Sequence, residues 1–151
     1  MKKRLKKEKK KKKKKFQDFV LGELSMSDIE FSEISNRVIG CAIEVHKTIG
    51  PGLLESSYQQ CLAHELRLNN INFELEKPLP VVYKNVQLNC GYRIDLLIEN
   101  ELIIELKSVE HLNPIHEAQI LSYMKLAKIK YGLLINFNVK LLKKGLKSFV
   151  L

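Results

Sequence analysis

The segment GYRIDLLIENELIIELKSV carries Asp95, then Glu105 after nine intervening residues, then Lys107 after one more, Leu106. Read as two strands joined at Glu99-Asn100, its side chains alternate between faces. Even positions Ile94, Leu96, Ile98, Leu102, Ile104 and Leu106 make a wholly apolar face that must pack inward. Odd positions Asp95, Leu97, Ile103, Glu105 and Lys107 make the other face. Register follows the buried pattern, so odd must meet odd across the turn. That needs a loop of odd length or a bulge, and the odd loop is expected. Asp95 then falls opposite Glu105. Acids crowded on a half-apolar face are costly unless a cation compensates. Hard oxygen donors suit Mg²⁺ or Mn²⁺, and the backbone carbonyl of Leu106 can add a ligand. Lys107 would hold an attacking water and stabilise charge developing on a phosphate. The plain alternative is a charged edge strand whose Glu–Lys pair faces water.

Two further groups of residues favour the chemical reading. Gln119 and Tyr123 stand four residues apart on the next expected helix and share a face, with His116 one turn earlier. Such a stripe can read phosphate and base edges; an ordinary half-exposed helix would show it too. Glu55 sits in the first turn of another expected helix, after Gly50-Pro51-Gly52. There it is either an upstream acid of the site or a carboxylate favoured by the helix dipole. His46, near the end of the first helix, is expected to meet the dipole in the same ordinary way.

The elements that must position these residues follow from periodicity. Ser27 and Glu30 resemble a capping box, and Ile34, Val38, Ala42, Val45 and Ile49 form one helical stripe. Gly50-Pro51-Gly52 should end that helix. A second is expected from about Leu53 to Leu68, with the stripe Leu54, Tyr58, Cys61, Leu62 and Leu66 and a stop at Asn69-Asn70. LPVVYKN, entered through Pro78 and Pro80, reads as a strand, and VQLN as its return after Lys84-Asn85. The two chemistry-bearing strands come next. Pro114 opens a helix through about Ala127, YGLLINF is a short strand, and LLKKGLKSFV reads as a closing amphipathic helix. The order ααβββαβα, with a fourth strand from the hairpin, predicts an α/β fold: a mixed sheet of about four strands flanked by helices.

Charge is distributed unevenly. The chain has 26 basic and 17 acidic residues, but residues 1–15 alone hold 12 of the former and one acid, Glu8. Residues 16–151 therefore hold 14 basic and 16 acidic groups, so the basic excess belongs to the tail. A Lys run repels itself and buries nothing, so residues 1–25 are expected to form a disordered Lys-rich tail, and 26–151 the domain. Met26 directly precedes the helical pattern and could serve as the start, leaving the tail untranslated. No apolar run reaches the roughly 18–20 residues of a membrane span, and the tail lacks the apolar stretch of a signal peptide. The three cysteines lie far apart and form no CxxC pair, so reduced thiols in a cytoplasmic protein are expected, with Cys41 and Cys61 buried on helices. No Gly-rich phosphate loop is present.

GLLESSY, Gly52 to Tyr58, resembles the G-x-x-E-x-x-Y signature of the GxxExxY family. AIEVHKTIGPGLLES, YRIDLLIENELIIELKSV, HEAQILSYMKL and YGLLINFNV are similar to the rest of that family's pattern, in order, from about Ile34 onward. The family is placed in the PD-(D/E)XK nuclease superfamily. The resemblance implies that superfamily's core, a mixed four-stranded sheet flanked by helices. It implies metal-binding roles for Asp95 and Glu105, a catalytic role for Lys107 and an upstream acid at Glu55. Gln119 and Tyr123 match the Q-x-x-x-Y element of the exonuclease-like branch. The superfamily's proline is absent, since Ile94 precedes Asp95. The expected function is Mg²⁺- or Mn²⁺-dependent hydrolysis of nucleic acid, DNA in the first instance. Nucleases of this size often rely on a partner protein or a homodimer to read sequence. The competing class is a non-catalytic nucleic-acid-binding or protein-interaction module on the same fold. The near-neutral domain favours that class mildly; the complete Asp–Glu–Lys set opposes it.

Overall fold

The computed structural model describes residues 26–151 together with Lys7, with side chains from Glu33 onward. The expected tail at 1–25, Lys7 apart, and the side chains of the Ser27–Glu30 cap lie outside that description. The chain divides into two units, residues 1–34 and 35–151. Helix α1 (Met26–Ile49) begins in the first, and its residues from Ser35 belong to the second.

In the second unit, α1 buries Val38, Cys41, Ala42 and Val45. It stops at Gly50, whose φ of +70° suits glycine and whose N–H donates to the His46 carbonyl at 2.8 Å. Helix α2 (Glu55–Leu68) buries Tyr58, Leu62, Ala63 and Leu66 and ends at Asn69. Leu54, expected in its buried stripe, is instead the exposed residue ahead of the first turn, because the helix starts two residues later than its apolar spacing suggests. Cys61 is only half-buried.

Five strands form one sheet in the order β1-β4-β5-β6-β7: β1 (Phe73–Pro78), β4 (Arg93–Ile98), β5 (Leu102–Lys107), β6 (Tyr131–Asn136) and β7 (Leu146–Val150). Only β5 and β6 run parallel, and helix α3 (Pro114–Ala127) makes the crossover between them. Strands β2 (Val81–Tyr83) and β3 (Val86–Leu88) form a separate two-stranded ribbon. Lys84 and Asn85 turn it with positive φ, as the hairpin reading expects. β5 is buried at every position but Lys107, which is half-buried, and all six residues of β6 are buried; both faces of these central strands are covered.

Two elements depart from the sequence reading. FELEKP forms the edge strand β1, although its charges lower its β-propensity; charged side chains are the usual protection of an exposed edge. LLKKGLKSFV is not a helix. It makes a 3₁₀ turn at Leu142–Gly145 and then β7, antiparallel to β6. Without β7 the fully buried β6 would carry an open edge, so pairing overrides a local pattern that fits a helix. The sheet thus has five strands where about four are expected, and it keeps the expected mixed character.

Two glycines mark where chain segments pack closest. A Cβ at Gly132 would meet Met124 Sδ at 2.5 Å, a flexible side chain that can yield. A Cβ at Gly145 would collide with the backbone carbonyl of Asn136, which cannot. Gly132→Ala should therefore cost about 1–3 kcal/mol and Gly145→Ala more, read as denaturant midpoints. Equal losses would show that β7 is free to shift against β6.

Candidate nuclease site

Strands β4 and β5 pair as Leu96↔Ile104, Leu97↔Ile103 and Ile98↔Leu102, so the loop is Glu99, Asn100 and Glu101. The odd-length loop is what the apolar even face requires. Beyond Leu96 the ladder is replaced by side-chain bonds. The Asp95 N–H donates to Glu105 Oε1 at 3.2 Å, and the Leu106 N–H donates to Asp95 Oδ2 at 2.9 Å. Each carboxylate is fixed by a backbone amide of the neighbouring strand, with its second oxygen uncommitted to that bond.

The electrostatics are those of a crowded, desolvated pair. Glu105 is 3 % exposed. Burial, and then the charge of Asp95, push its carboxyl up to about 9. Burial likewise raises Asp95, with Glu76 adding to the rise and the Lys107 charge opposing it. Each carboxyl thus resists ionisation more than a free acid does, and the negative charge of one opposes that of the other. Lys107, the last residue of β5, acts on both acids.

Asp95 and Leu106 open on a cleft of about 270 Å³ lined also by Glu55, Ser56, Gln59 and Glu76. Sequence reasoning missed Gln59 and Glu76. Gln59 is buried, and its Nε2 donates to Glu76 Oε1 at 2.6 Å and to the Asp95 carbonyl at 3.1 Å. It stands four residues after Glu55, so the shared helix face was a usable signal. Glu76 had none: it reaches the cleft only because β1 pairs with β4. Its φ of +51° is unusual for a non-glycine inside a strand, and the β1–β4 register skips it between Leu75↔Leu96 and Lys77↔Ile94.

The segment GLLESSY acquires a physical meaning here. Tyr58 is fully buried and stacks on Phe137, with ring centroids 4.3 Å apart and planes 8° from parallel. Its hydroxyl donates to the Gly50 carbonyl at 2.6 Å and accepts from the Leu53 N–H at 3.1 Å. Tyr58 therefore clamps the turn that presents Glu55 at the cleft. Ser108 Oγ donates to the Leu53 carbonyl at 2.6 Å, tying the same turn to the end of β5. Tyr58→Phe should lower stability by about 1–2 kcal/mol, read as a denaturant midpoint, because the Leu53 N–H and the Gly50 carbonyl lose their partner. An unchanged midpoint would mean that the turn does not depend on the Tyr58 hydroxyl.

Gln119, Tyr123 and His116 do not line that cleft. They line a second one of about 420 Å³, with Tyr92, Ile115, Ala118, Ser122 and Leu126. Gln119 Nε2 donates to Tyr123 Oη at 3.1 Å, as their spacing allows. Tyr123 nonetheless packs in one buried cluster with Ile94, Leu97 and Ile103 of β4 and β5; burial holds its phenol above the ordinary value, and the charges of Glu105 and Asp95 push the same way. His46 meets neither cleft nor merely the dipole. Its Nε2 is 2.7 Å from the Val139 carbonyl, in the loop after β6.

A divalent cation is chemically suited to the acid pair. The donors are hard oxygens, and a cation would offset the burial and the Asp95 charge that together raise the Glu105 carboxyl. Among the described residues, however, no three His, Cys, Asp or Glu side chains already stand close enough together to hold an ion. No helix among them is long and apolar enough to cross a membrane.

A family model described as the PD-(D/E)XK nuclease superfamily matches residues 32–149. No curated protein and no solved structure matches the chain. The matched span covers most of the chain and every residue of both clefts, and a mixed sheet flanked by helices, with acids on adjacent strands and E-x-K at the end of β5, is what it leads one to expect. The chain belongs to the PD-(D/E)XK nuclease superfamily.

Proposed function

We propose that this chain is a metal-dependent nuclease of the GxxExxY family, hydrolysing DNA phosphodiester bonds. One observation carries the reading. Asp95 and Glu105 are held by each other's strands in a desolvated pair on which the Lys107 charge acts, and Asp95 lines a cleft together with Glu55. A fold has no use for two buried acids that oppose each other's ionisation, whereas a phosphodiesterase needs them.

In this reading Asp95, Glu105, the Leu106 carbonyl and Glu55 hold Mg²⁺ or Mn²⁺. The bound ion would supply Lewis-acid charge at the scissile phosphate. The chain's own residues do the rest. The two backbone amides fix the carboxylates before substrate arrives. The Lys107 ammonium orients the attacking water and stabilises the charge that develops on phosphate oxygen. Gln59 positions Glu76 and the backbone at Asp95. Gln119, Tyr123 and His116 contact the nucleic acid next to the cut.

Mn²⁺ titration by calorimetry, run beside a plasmid-nicking assay on the unmodified protein and on Asp95→Ala, tests the reading. Metal binding and nicking that both vanish in Asp95→Ala are expected. No metal heat and no nicking by the unmodified protein would leave the non-catalytic module in its place.

A further inference from the structure

We infer that the second cleft, lined by Tyr92, His116, Gln119, Tyr123 and Leu126, is a pocket for one unpaired nucleobase, so that the substrate reaching the acid pair is single-stranded or frayed. The inference rests on the nuclease reading of that pair.

Four features of the cleft point to a base. Its volume, about 420 Å³, admits a planar heterocycle with its sugar. Its walls combine apolar side chains, Ile115, Ala118 and Leu126, with polar groups of Gln119, His116 and Ser122, the mixture that an aromatic ring with polar edges needs. Tyr92 makes one edge contact with Tyr123, centroids 5.9 Å apart at 61°, and stays 47 % exposed. A ring anchored by its neighbour and half in solvent is a stacking platform, and every base offers a π-face to it.

The fourth feature is His116. The Asn113 N–H donates to its Nδ1 at 3.0 Å, closing the capping box at the start of α3. In the neutral ring an accepting Nδ1 leaves the proton on Nε2. The cap thus fixes a hydrogen-bond donor at the cleft, suited to a carbonyl or ring nitrogen on a base edge. A paired base inside a duplex exposes neither its face nor its Watson–Crick edge, so the pocket selects strands whose bases are free.

The position agrees with the chemistry. Tyr123 lines this cleft and packs in the same buried cluster as Ile94, Leu97 and Ile103 of the two acid-bearing strands, and the charges of Glu105 and Asp95 act on its phenol. A base held by Tyr92 and Tyr123 would set its neighbouring phosphate toward Asp95 and Glu105.

The test is binding by the full chain in EDTA at low salt, where phosphate contacts are strongest and cleavage cannot occur. The probes are labelled single-stranded DNA, a duplex of the same length, and a single strand of abasic sites. The ordinary single strand should bind about tenfold tighter than the abasic strand and tighter than the duplex. Tyr92→Ala should remove that tenfold advantage while leaving abasic binding and the salt slope unchanged; Tyr92→Phe should retain it. Tyr92 is half-exposed, so the variants are expected to fold, and their melts check this. Equal binding of ordinary and abasic strands overturns the inference. So does a Tyr92→Ala loss that is the same for both, or no binding to any strand. Because these readings need no metal, they are separable from the nuclease reading. Mn²⁺-dependent nicking with no base preference would refute the pocket alone, and a base preference without nicking would refute the nuclease alone.

Discussion

Glu105→Gln is expected to stop metal-supported cleavage while making the metal-free protein more stable. The loss of activity should be at least about a hundredfold, since the substitution removes a charged ligand at the reacting phosphate. The gain in stability has a separate origin. Glu105 and Asp95 are desolvated together, and two like charges near 4 Å at an effective dielectric of 20 would repel by about 4 kcal/mol. The protein avoids that cost by keeping Glu105 protonated, which itself becomes costly as the solution grows less acidic. An amide has the size of the protonated acid and no charge to lose. Added Mn²⁺ should stabilise the unmodified protein by about 2.7 kcal/mol at a hundredfold excess over its dissociation constant, and should leave Glu105→Gln unmoved. A charged edge strand predicts the reverse: amides neutral or slightly destabilising, and no effect of a divalent ion. Thermal melts of both proteins with and without Mn²⁺ separate the two.

The acid pair was legible in the sequence because one physical constraint decided it. Six apolar residues at even positions 94–106 can be buried together only if odd faces odd, and the three-residue loop at Glu99–Glu101 follows from that. The central helices were legible for the same reason, with Pro114 and Gly50 marking their limits. What stayed hidden depends on pairing across long sequence separations. β1 becomes a strand only because β4 offers it an edge, and Glu76 reaches the cleft by that pairing alone. β7 looks helical in isolation because Leu142, Leu146 and Phe149 recur at helical steps, yet β6 needs a partner. His116 was visible as part of a stripe, but its use as a cap residue depends on the loop before α3. The fold's centre therefore announces itself through hydrophobic periodicity. Its edges, and the residues that its edges deliver to the cleft, do not.

The acid pair should also write itself into the pH dependence of folding. In the unfolded chain Glu105 releases its proton near its ordinary 4.5, whereas in the metal-free fold it holds the proton up to about 9. Between those values the folded state binds more protons than the unfolded one, so stability falls as pH rises. Asp95, also raised, contributes in the same direction. Each unit of pH inside the window removes at most about 1.4 kcal/mol per proton held. Above pH 9 this contribution is fully lost, and below pH 4.5 that of Glu105 is fully present. Other groups titrate across the same range, so the quantity to measure is the difference in unfolding free energy between the unmodified protein and Glu105→Gln. It should widen steadily in favour of the variant from about pH 5 to pH 9 in EDTA. Mn²⁺ should reverse the trend, because the ion displaces the proton and binds more tightly as protons become scarce. A difference that stays flat over this range, with melts that respond to Mn²⁺ equally at its two ends, would mean that Glu105 is ionised in the metal-free fold and that the pair stores no repulsion for a cation to relieve.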